Sequence, residues 1–366
     1  MLKHKDHFHG SDLEKIEKIY GIKKEDIVSF SANVNPLGIS YKLKNTLCEK
    51  LDVISGYPDR DYTKLRQAIA AYSGAQFDNI LVGNGSTELI SLFIQTNHPK
   101  KALILGPTYS EYEREISLGG GTTHYYPLKE ENDFHMDVED FCSQLNDSYD
   151  LIVLCNPNNP TSSALTRSQI RHILDVCMQH GIFLMIDETY VEFAPEGMPI
   201  DVIPLTNDYN NLIVLRGISK FFAAPGLRLG YAVTGNQDLL KFINTKKNPW
   251  TINSLAEVAG QIMFTDTEYI QKTRELISTQ RTHIYQELCT WDSVKVYEPT
   301  ANFMLVKILK SDITADTVFD HCIKKGMMVR NCSTFPFLDS RYFRFCIMKP
   351  EDNDRLLAAL REILYP

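Results

Sequence analysis

The sequence has no two cysteines close enough together to make a metal-binding pair. Its eight cysteines (48, 142, 155, 177, 289, 322, 332 and 346) are scattered along the chain. A zinc site or a disulfide framework is therefore not expected, nor is any other metal. Several of these cysteines sit in apolar runs, which reads as buried free thiols in a reducing cytoplasm. A basic excess is missing too. The formal net charge is −8, which argues against nucleic acid as a main partner, because phosphate backbones demand basic faces. No apolar run reaches membrane-spanning length, and no apolar signal core follows Met1-Leu2-Lys3-His4-Lys5-Asp6. Internal repeats and low-complexity tracts are absent. What remains is an ordinary soluble composition, 43% hydrophobic and 23% charged over 366 residues, enough for a large domain and a small one.

Residues 1–35 read as a polar arm with an amphipathic stretch from Asp12 to Tyr20, capped by Ser11 or Asp12. Residues 40–75 read as two helices around Gly56-Tyr57-Pro58-Asp59. From Ile80 to about Arg281 the rhythm is strand, loop, helix. The apolar runs are Ile80 to Val82, Ala102 to Leu105, Leu151 to Leu154, Phe183 to Ile186, Leu212 to Leu215 and Tyr231 to Val233. Amphipathic stretches such as Thr166 to Gln179 separate most of them. This predicts an α/β fold with a mostly parallel sheet and helices on both faces. A long helical pattern follows Trp250 to about Leu288. From about Val294 the strands become shorter: Phe303 to Ile308, Met327 to Arg330 and Tyr342 to Ile347, with one helix between them and another from Asp352 to Leu364. The expected organisation is an arm (1–40) joined to a small C-terminal α+β domain (289–366), with a large domain (41–288) between.

Ligands of such sheets gather beyond the carboxyl ends of the strands, and the chemically loaded residues stand there. Lys220 follows the buried run Leu212 to Leu215, beside two aromatics. Burial disfavours an ammonium and leaves an amine able to attack a carbonyl. Ser219 and Arg228 bracket it with a hydroxyl and a fixed cation, as a phosphate-bearing ligand requires. Gly83-Asn84-Gly85-Ser86-Thr87 leads into a helical pattern, an arrangement that exposes backbone N–H groups to an anion. Asn156-Pro157-Asn158-Asn159-Pro160 fixes the backbone and leaves amides to aim. Asp187 ends a four-residue apolar run, a costly burial unless a cation pairs with it. Each has a bland reading: a solvated lysine, a tight turn, a structural loop. Tyr57 and Tyr109 alone would be packing tyrosines, and Arg344, in Tyr342-Phe343-Arg344-Phe345, a surface charge.

Taken together, Ser219-Lys220 with Arg228 eight residues on, and the strings around Gly85, Asn159 and Asp187, resemble the fold-type I pyridoxal-phosphate (PLP) enzymes of the aminotransferase class I/II superfamily. The resemblance spans nearly the whole chain. Within the superfamily it is nearest to threonine-phosphate decarboxylase of cobalamin biosynthesis and to histidinol-phosphate aminotransferase. It implies that Lys220 holds PLP covalently and that Gly85, Ser86, Thr87, Ser219 and Arg228 hold its phosphate. Tyr109 stacks on the ring, Asp187 keeps the ring nitrogen protonated, and Asn159 and Tyr190 share the phenolic oxygen. Lys220, Asp187 and Tyr190 form the catalytic set. Tyr57 crosses to a neighbour's cofactor phosphate, which implies a homodimer with shared sites. His-Gly at the start and Ser31-Ala32-Asn33-Val34-Asn35-Pro36-Leu37-Gly38 resemble the decarboxylase's substrate-phosphate arm. On that match His9, Asn33 and Arg330 face a substrate phosphate, Arg344 faces its α-carboxylate, and Asn159 also touches the substrate.

The chain departs from the pattern in three places. Ser162 and Phe337 stand where glycine is usual, and Met348 where a second basic residue is common. Whole-chain resemblance favours the decarboxylase branch. Tyr190 favours the aminotransferases, since the decarboxylases often carry Phe there. The leading expectation is therefore an aminotransferase for a small phosphate- or phosphonate-bearing amino acid or amine. A threonine-phosphate decarboxylase is the alternative. A non-catalytic effector-binding domain is a third reading, which the filled catalytic positions oppose.

Overall fold

Strands that are apolar on both faces need cover on both, and the chain supplies it with helices. The computed structural model describes residues 12–365. In chain order the strands among these residues are β1 Val28–Ser29, β2 Ile80–Gly83, β3 Lys101–Gly106, β4 Thr122–Pro127, β5 Leu151–Cys155, β6 Phe183–Asp187, β7 Leu212–Gly217, β8 Gly230–Val233, β9 Val294–Val296, β10 Phe303–Ile308, β11 Met327–Met328, β12 Arg330–Asn331 and β13 Tyr342–Cys346. Seven of them form one sheet in the order β2-β8-β7-β6-β5-β3-β4. All neighbours are parallel except β8, which runs antiparallel to both β7 and β2. This is the mostly parallel α/β sheet that the apolar runs predict.

Side chains alternate across the central strands. Leu184 and Ile186 of β6 pack with Val214 of β7 into the larger core, while Met185 and Leu215 pack on the other face with Phe93 and Tyr112. The helix Arg167–Gln179 is capped by Thr166 in a reciprocal box with Gln169. A second sheet, antiparallel and ordered β12-β13-β10-β9, lies in the C-terminal part. The N-terminal segment reaches this part through a parallel pairing of β1 with β11, and the Cys346 N–H then donates to the Phe30 carbonyl at 2.8 Å.

Three sequence expectations need correction. An extra edge strand, β4, stands beside β3. The helical pattern after Trp250 is two helices, Ser254–Met263 and Thr267–Cys289; the second is capped by the Asp266 side chain. The expected run from Met327 to Arg330 is divided between two sheets, because β11 pairs with β1 and β12 with β13.

Candidate active site

An anion cradle forms where β2 enters the helix Gly85–Asn97. The first N–H groups of a helix have no partners within it, and they point along the positive end of its dipole. Gly85 has φ +82°, and a Cβ there would lie 2.5 Å from the Arg228 guanidinium. Only glycine lets that cation sit against the loop. Gly230 is required for the same closeness from below, since its Cβ would meet the Ser86 nitrogen at 2.6 Å. Arg228 itself takes a left-handed backbone, φ +54°, and its exposed guanidinium bonds the backbone carbonyls of Pro225 and Asn84, at 3.4 and 3.5 Å. Ser219 lies on the turn just beyond β7.

Lys220 follows on that turn. Its amine donates to the Ala32 carbonyl at 2.7 Å. Burial pushes its pKa down to about 8, and the Arg344 and Arg228 guanidiniums push the same way, while Cys346 and Asp187 oppose them. Asp187, at the end of β6, is buried. One carboxylate oxygen accepts from the Tyr112 hydroxyl at 2.7 Å, and the other from the Thr189 N–H at 2.9 Å and its hydroxyl at 2.5 Å. Burial pushes this carboxyl upward, against the pull of those donors and of Lys220. Tyr109 stands edge-on to Tyr112, with ring centroids 5.5 Å apart.

The third wall comes from the arm and the small sheet. Three consecutive arm residues each touch a site residue. Ser31 accepts from Arg344 through its carbonyl at 2.7 Å, Ala32 accepts from Lys220, and the Asn33 amide donates to the Tyr190 hydroxyl at 3.3 Å. The other hydrogen-bonding end of Arg344 donates to the Asn159 side chain. Arg344 is buried, so it is no surface charge. Arg330 faces it directly across the β12–β13 ladder, which places both side chains on one face of the sheet. Arg330 is partly buried, bonded to the Thr334 hydroxyl at 3.3 Å. Burial pushes its pKa down, and Arg344 adds to the effect. Ser31 Oγ, Asn33 Oδ1, Asn302 Oδ1 and Arg344 Nε are buried around this space with no partner among the described residues, an arrangement that invites a polar ligand.

The two glycine replacements keep glycine's backbone. Ser162 has φ +61° and Phe337 φ +68°. For Ser162 that strain is of order 1–2 kcal/mol, and its hydroxyl, which accepts from the Ala301 N–H at 2.8 Å, offsets part of it. Phe337 swings its ring over Gly106 and lies 5.7 Å from the Tyr125 ring. Asn159 and Tyr190 do not bond each other here; each has its own partner. Tyr57 is 82% exposed and packs on Trp250 at 4.7 Å. His9 lies outside the described residues. Among the described residues no group of three His, Cys, Asp or Glu side chains is placed to hold a metal.

Sequence reasoning missed several members. Tyr112 reads as helix filler but holds Asp187. Thr108 and Asn158 bond each other at 2.8 Å, tying the loop of Tyr109 to that of Asn159. The Ser31 and Ala32 carbonyls carry no side-chain signal at all. As a test of fit, PLP needs an anion cradle, a reactive amine, a buried carboxylate for the ring nitrogen and an aromatic wall. Gly85 to Thr87 with Arg228, then Lys220, Asp187 and Tyr109, offer these four in adjoining positions at the strand ends, so the residues present fit the group.

The model of the family described as aminotransferase class I and II matches residues 25–360. The chain is 34% identical over 356 residues to the threonine-phosphate decarboxylase of Salmonella typhimurium, covering 97% of this chain and 96% of the relative. The crystal structure of histidinol-phosphate aminotransferase from Clostridium acetobutylicum superposes with a TM-score of 0.85 at 32% identity, over 91% of this chain and 98% of that one. The crystal structure of L-threonine-O-3-phosphate decarboxylase from Porphyromonas gingivalis superposes with a TM-score of 0.80 at 27% identity, over 92% and 99%.

Proposed function

Because the chain belongs to the aminotransferase class I and II family, we propose that it is a PLP-dependent aminotransferase for a small amino compound bearing a phosphate or phosphonate. The observation that carries the substrate class is the Arg330–Arg344 pairing. Two guanidiniums facing each other across adjacent strands repel, and a doubly anionic substrate offsets that cost. The unpartnered Asn33 and Asn302 oxygens beside them supply polar edges for the same ligand.

When bound, PLP supplies an electron sink for negative charge developing at the substrate Cα. The chain does the rest. Gly85 to Thr87, Ser219 and Arg228 anchor the cofactor's phosphate. Asp187 holds a proton at the ring nitrogen, and Tyr112 and Thr189 fix the carboxylate for that task. Lys220 provides the attachment point and then moves a proton at Cα. Arg344 forks a carboxylate, geometry that lysine cannot supply. A threonine-phosphate decarboxylase is the second reading, supported by the length of the match to the Salmonella enzyme. Tyr190 supports the first: its buried hydroxyl accepts from Asn33, and Phe is common there in the decarboxylases.

One experiment tests both the reaction and the phosphate pocket. With a 2-oxo acid present as amino acceptor, wild-type and Arg330→Ala proteins are given a phosphorylated amino acid and an unphosphorylated analogue of equal length, and keto acid and carbon dioxide are both scored. Keto acid is expected; carbon dioxide alone would select the decarboxylase. Arg330→Ala is expected to cost about 2–5 kcal/mol in kcat/KM for the phosphorylated compound and to leave the analogue nearly unaffected. Equal losses would remove the phosphate preference.

The proposed assembly is a homodimer with shared sites, with PLP and the small substrate as its other partners. Leu37, Ile39, Tyr41, Leu51, Ile54 and Tyr57 are exposed within one stretch, an apolar surface that a second copy would cover. Mixing the inactive Lys220→Ala chain with an inactive Tyr57→Ala chain is expected to restore activity. One site of each mixed dimer then carries both defects and the other neither. Verified mixed dimers without activity would refute sharing. The eight cysteines are all free, which suits a reducing cytoplasm. No helix among the described residues is long and apolar enough to cross a membrane.

A further inference from the structure

Directly behind the site, on the opposite face of the sheet, lies a buried group of charges that the chemistry above does not use. Arg216 of β7 donates through Nε and Nη2 to one Glu188 oxygen at 2.8 and 2.6 Å, and through Nη2 to Asp201 at 2.6 Å. The other Glu188 oxygen accepts from the Val202 N–H at 2.7 Å. Glu188 and Arg216 are 0% and 5% exposed. An ion pair so placed is weak evidence for stability, since apolar replacements often serve as well. What a forked guanidinium adds is fixed spacing and orientation.

The spacing it fixes is chemically loaded. Glu188 follows Asp187 directly, and its N–H continues the β6–β7 ladder to the Leu215 carbonyl at 2.8 Å. Arg216 is next to Leu215 and four residues ahead of Lys220. Strand alternation sends Asp187 toward the cofactor side and Glu188 with Arg216 away from it. Asp201 brings in a third segment, and it also accepts from the Ile203 N–H at 3.0 Å. Glu192 and Tyr231 face Arg216 as well.

We propose that Glu188, Arg216 and Asp201 are positioning residues, a clamp that sets the distance between the strand ends carrying Asp187 and Lys220. The proposal rests on the PLP-dependent reading above. Its test has a readout that a purely supportive role would not move. The charges weighing most on the Lys220 amine are Arg344, Cys346, Arg228 and Asp187, none of them in the clamp. Arg216→Lys keeps the clamp's charge, so a changed pH midpoint for the absorbance of bound PLP in that variant reports displacement rather than an altered field.

PLP uptake and turnover by the wild type, measured first, decide the functional reading; their absence would overturn that reading and the clamp together. Given both, Glu188→Gln is expected to lower kcat about a hundredfold, the scale of a misplacement near 1 Å. KM should change far less, and the absorbance midpoint should move by more than about half a pH unit. Arg216→Lys, which keeps the charge and loses the fork, is expected to behave the same way. A lowered melting temperature with wild-type kcat and midpoint would overturn the proposal, as would a wild-type-like Arg216→Lys. If neither variant folds, Asp201→Asn, at the more exposed rim of the clamp, decides. A smaller change in the same direction supports the clamp, and an unchanged kcat and midpoint overturn it.

Discussion

Lys220→Ala is expected to bring turnover down to background and to abolish the pH-dependent absorbance of bound PLP. Loss of a positioned proton-transfer group alone costs about 10²–10⁴-fold, and here the same residue is also the cofactor's attachment point. Near-wild-type turnover in this variant would refute the central assignment. The lysine leaves a second trace in the protein without cofactor. Its pKa falls from 10.5 unfolded to about 8 folded, chiefly by burial. Between those values the unfolded chain binds the extra proton, so stability contributed by this residue rises with pH across about 8 to 10.5. Below pH 8 the full penalty applies. The methionine variant Lys220→Met removes it, so the cofactor-free variant should be the more stable protein at pH 7, by about 1–3 kcal/mol. The bond to Ala32 keeps the figure at the lower end. The difference should fade as the pH approaches 10.5, which chemical denaturation at several pH values would show.

Asp187→Asn is expected to bind PLP and lose most of its turnover. The donors around the carboxylate decide what the amide can do. Thr189 presents an N–H and a hydroxyl to one oxygen, so the asparagine oxygen settles there and its NH2 turns toward Tyr112 and the ring. An NH2 group cannot accept from a protonated ring nitrogen, and the ring loses its charge. Removing one preorganised electrostatic partner costs on the order of 3–4 kcal/mol, or 10²–10³ in kcat. A variant within a few-fold of wild type would make Asp187 a structural residue.

The parts of the fold that could be read in advance are the ones where a single physical demand dominates. Six strands of the large sheet announce themselves because both faces are buried. The edge strand β4 does not. Its residues alternate in exposure, and the run Thr122 to Pro127 carries no continuous apolar signal. The division of Met327 to Arg330 between two sheets depends on two different partners, the distant β1 for β11 and the nearby β13 for β12, which no local pattern encodes. The same holds for the site. Lys220, Asp187, Asn159 and Gly85 are legible because each ends or follows a strand. That Arg330 stands opposite Arg344 depends on strand register. Ser162 and Phe337 were visible as departures from a glycine pattern, but only the backbone shows that both adopt the glycine conformation.

The arm contacts have a consequence for how the enzyme comes into being. Ser31 and Arg344, which bond each other, are 313 positions apart, and chains grow from the N-terminus at about 5–20 residues per second. The wall of the site that Ser31 builds must therefore wait about 15–60 s for its counterpart to leave the ribosome. Once Val233 has been made the large sheet has all its strands, yet Arg344, which weighs most on the Lys220 amine after burial itself, does not exist. Without that cation the lysine amine of a nascent or truncated chain keeps a pKa closer to its ordinary value. The wall that adds to this shift is complete only when β13 settles beside Phe30 and Ser31.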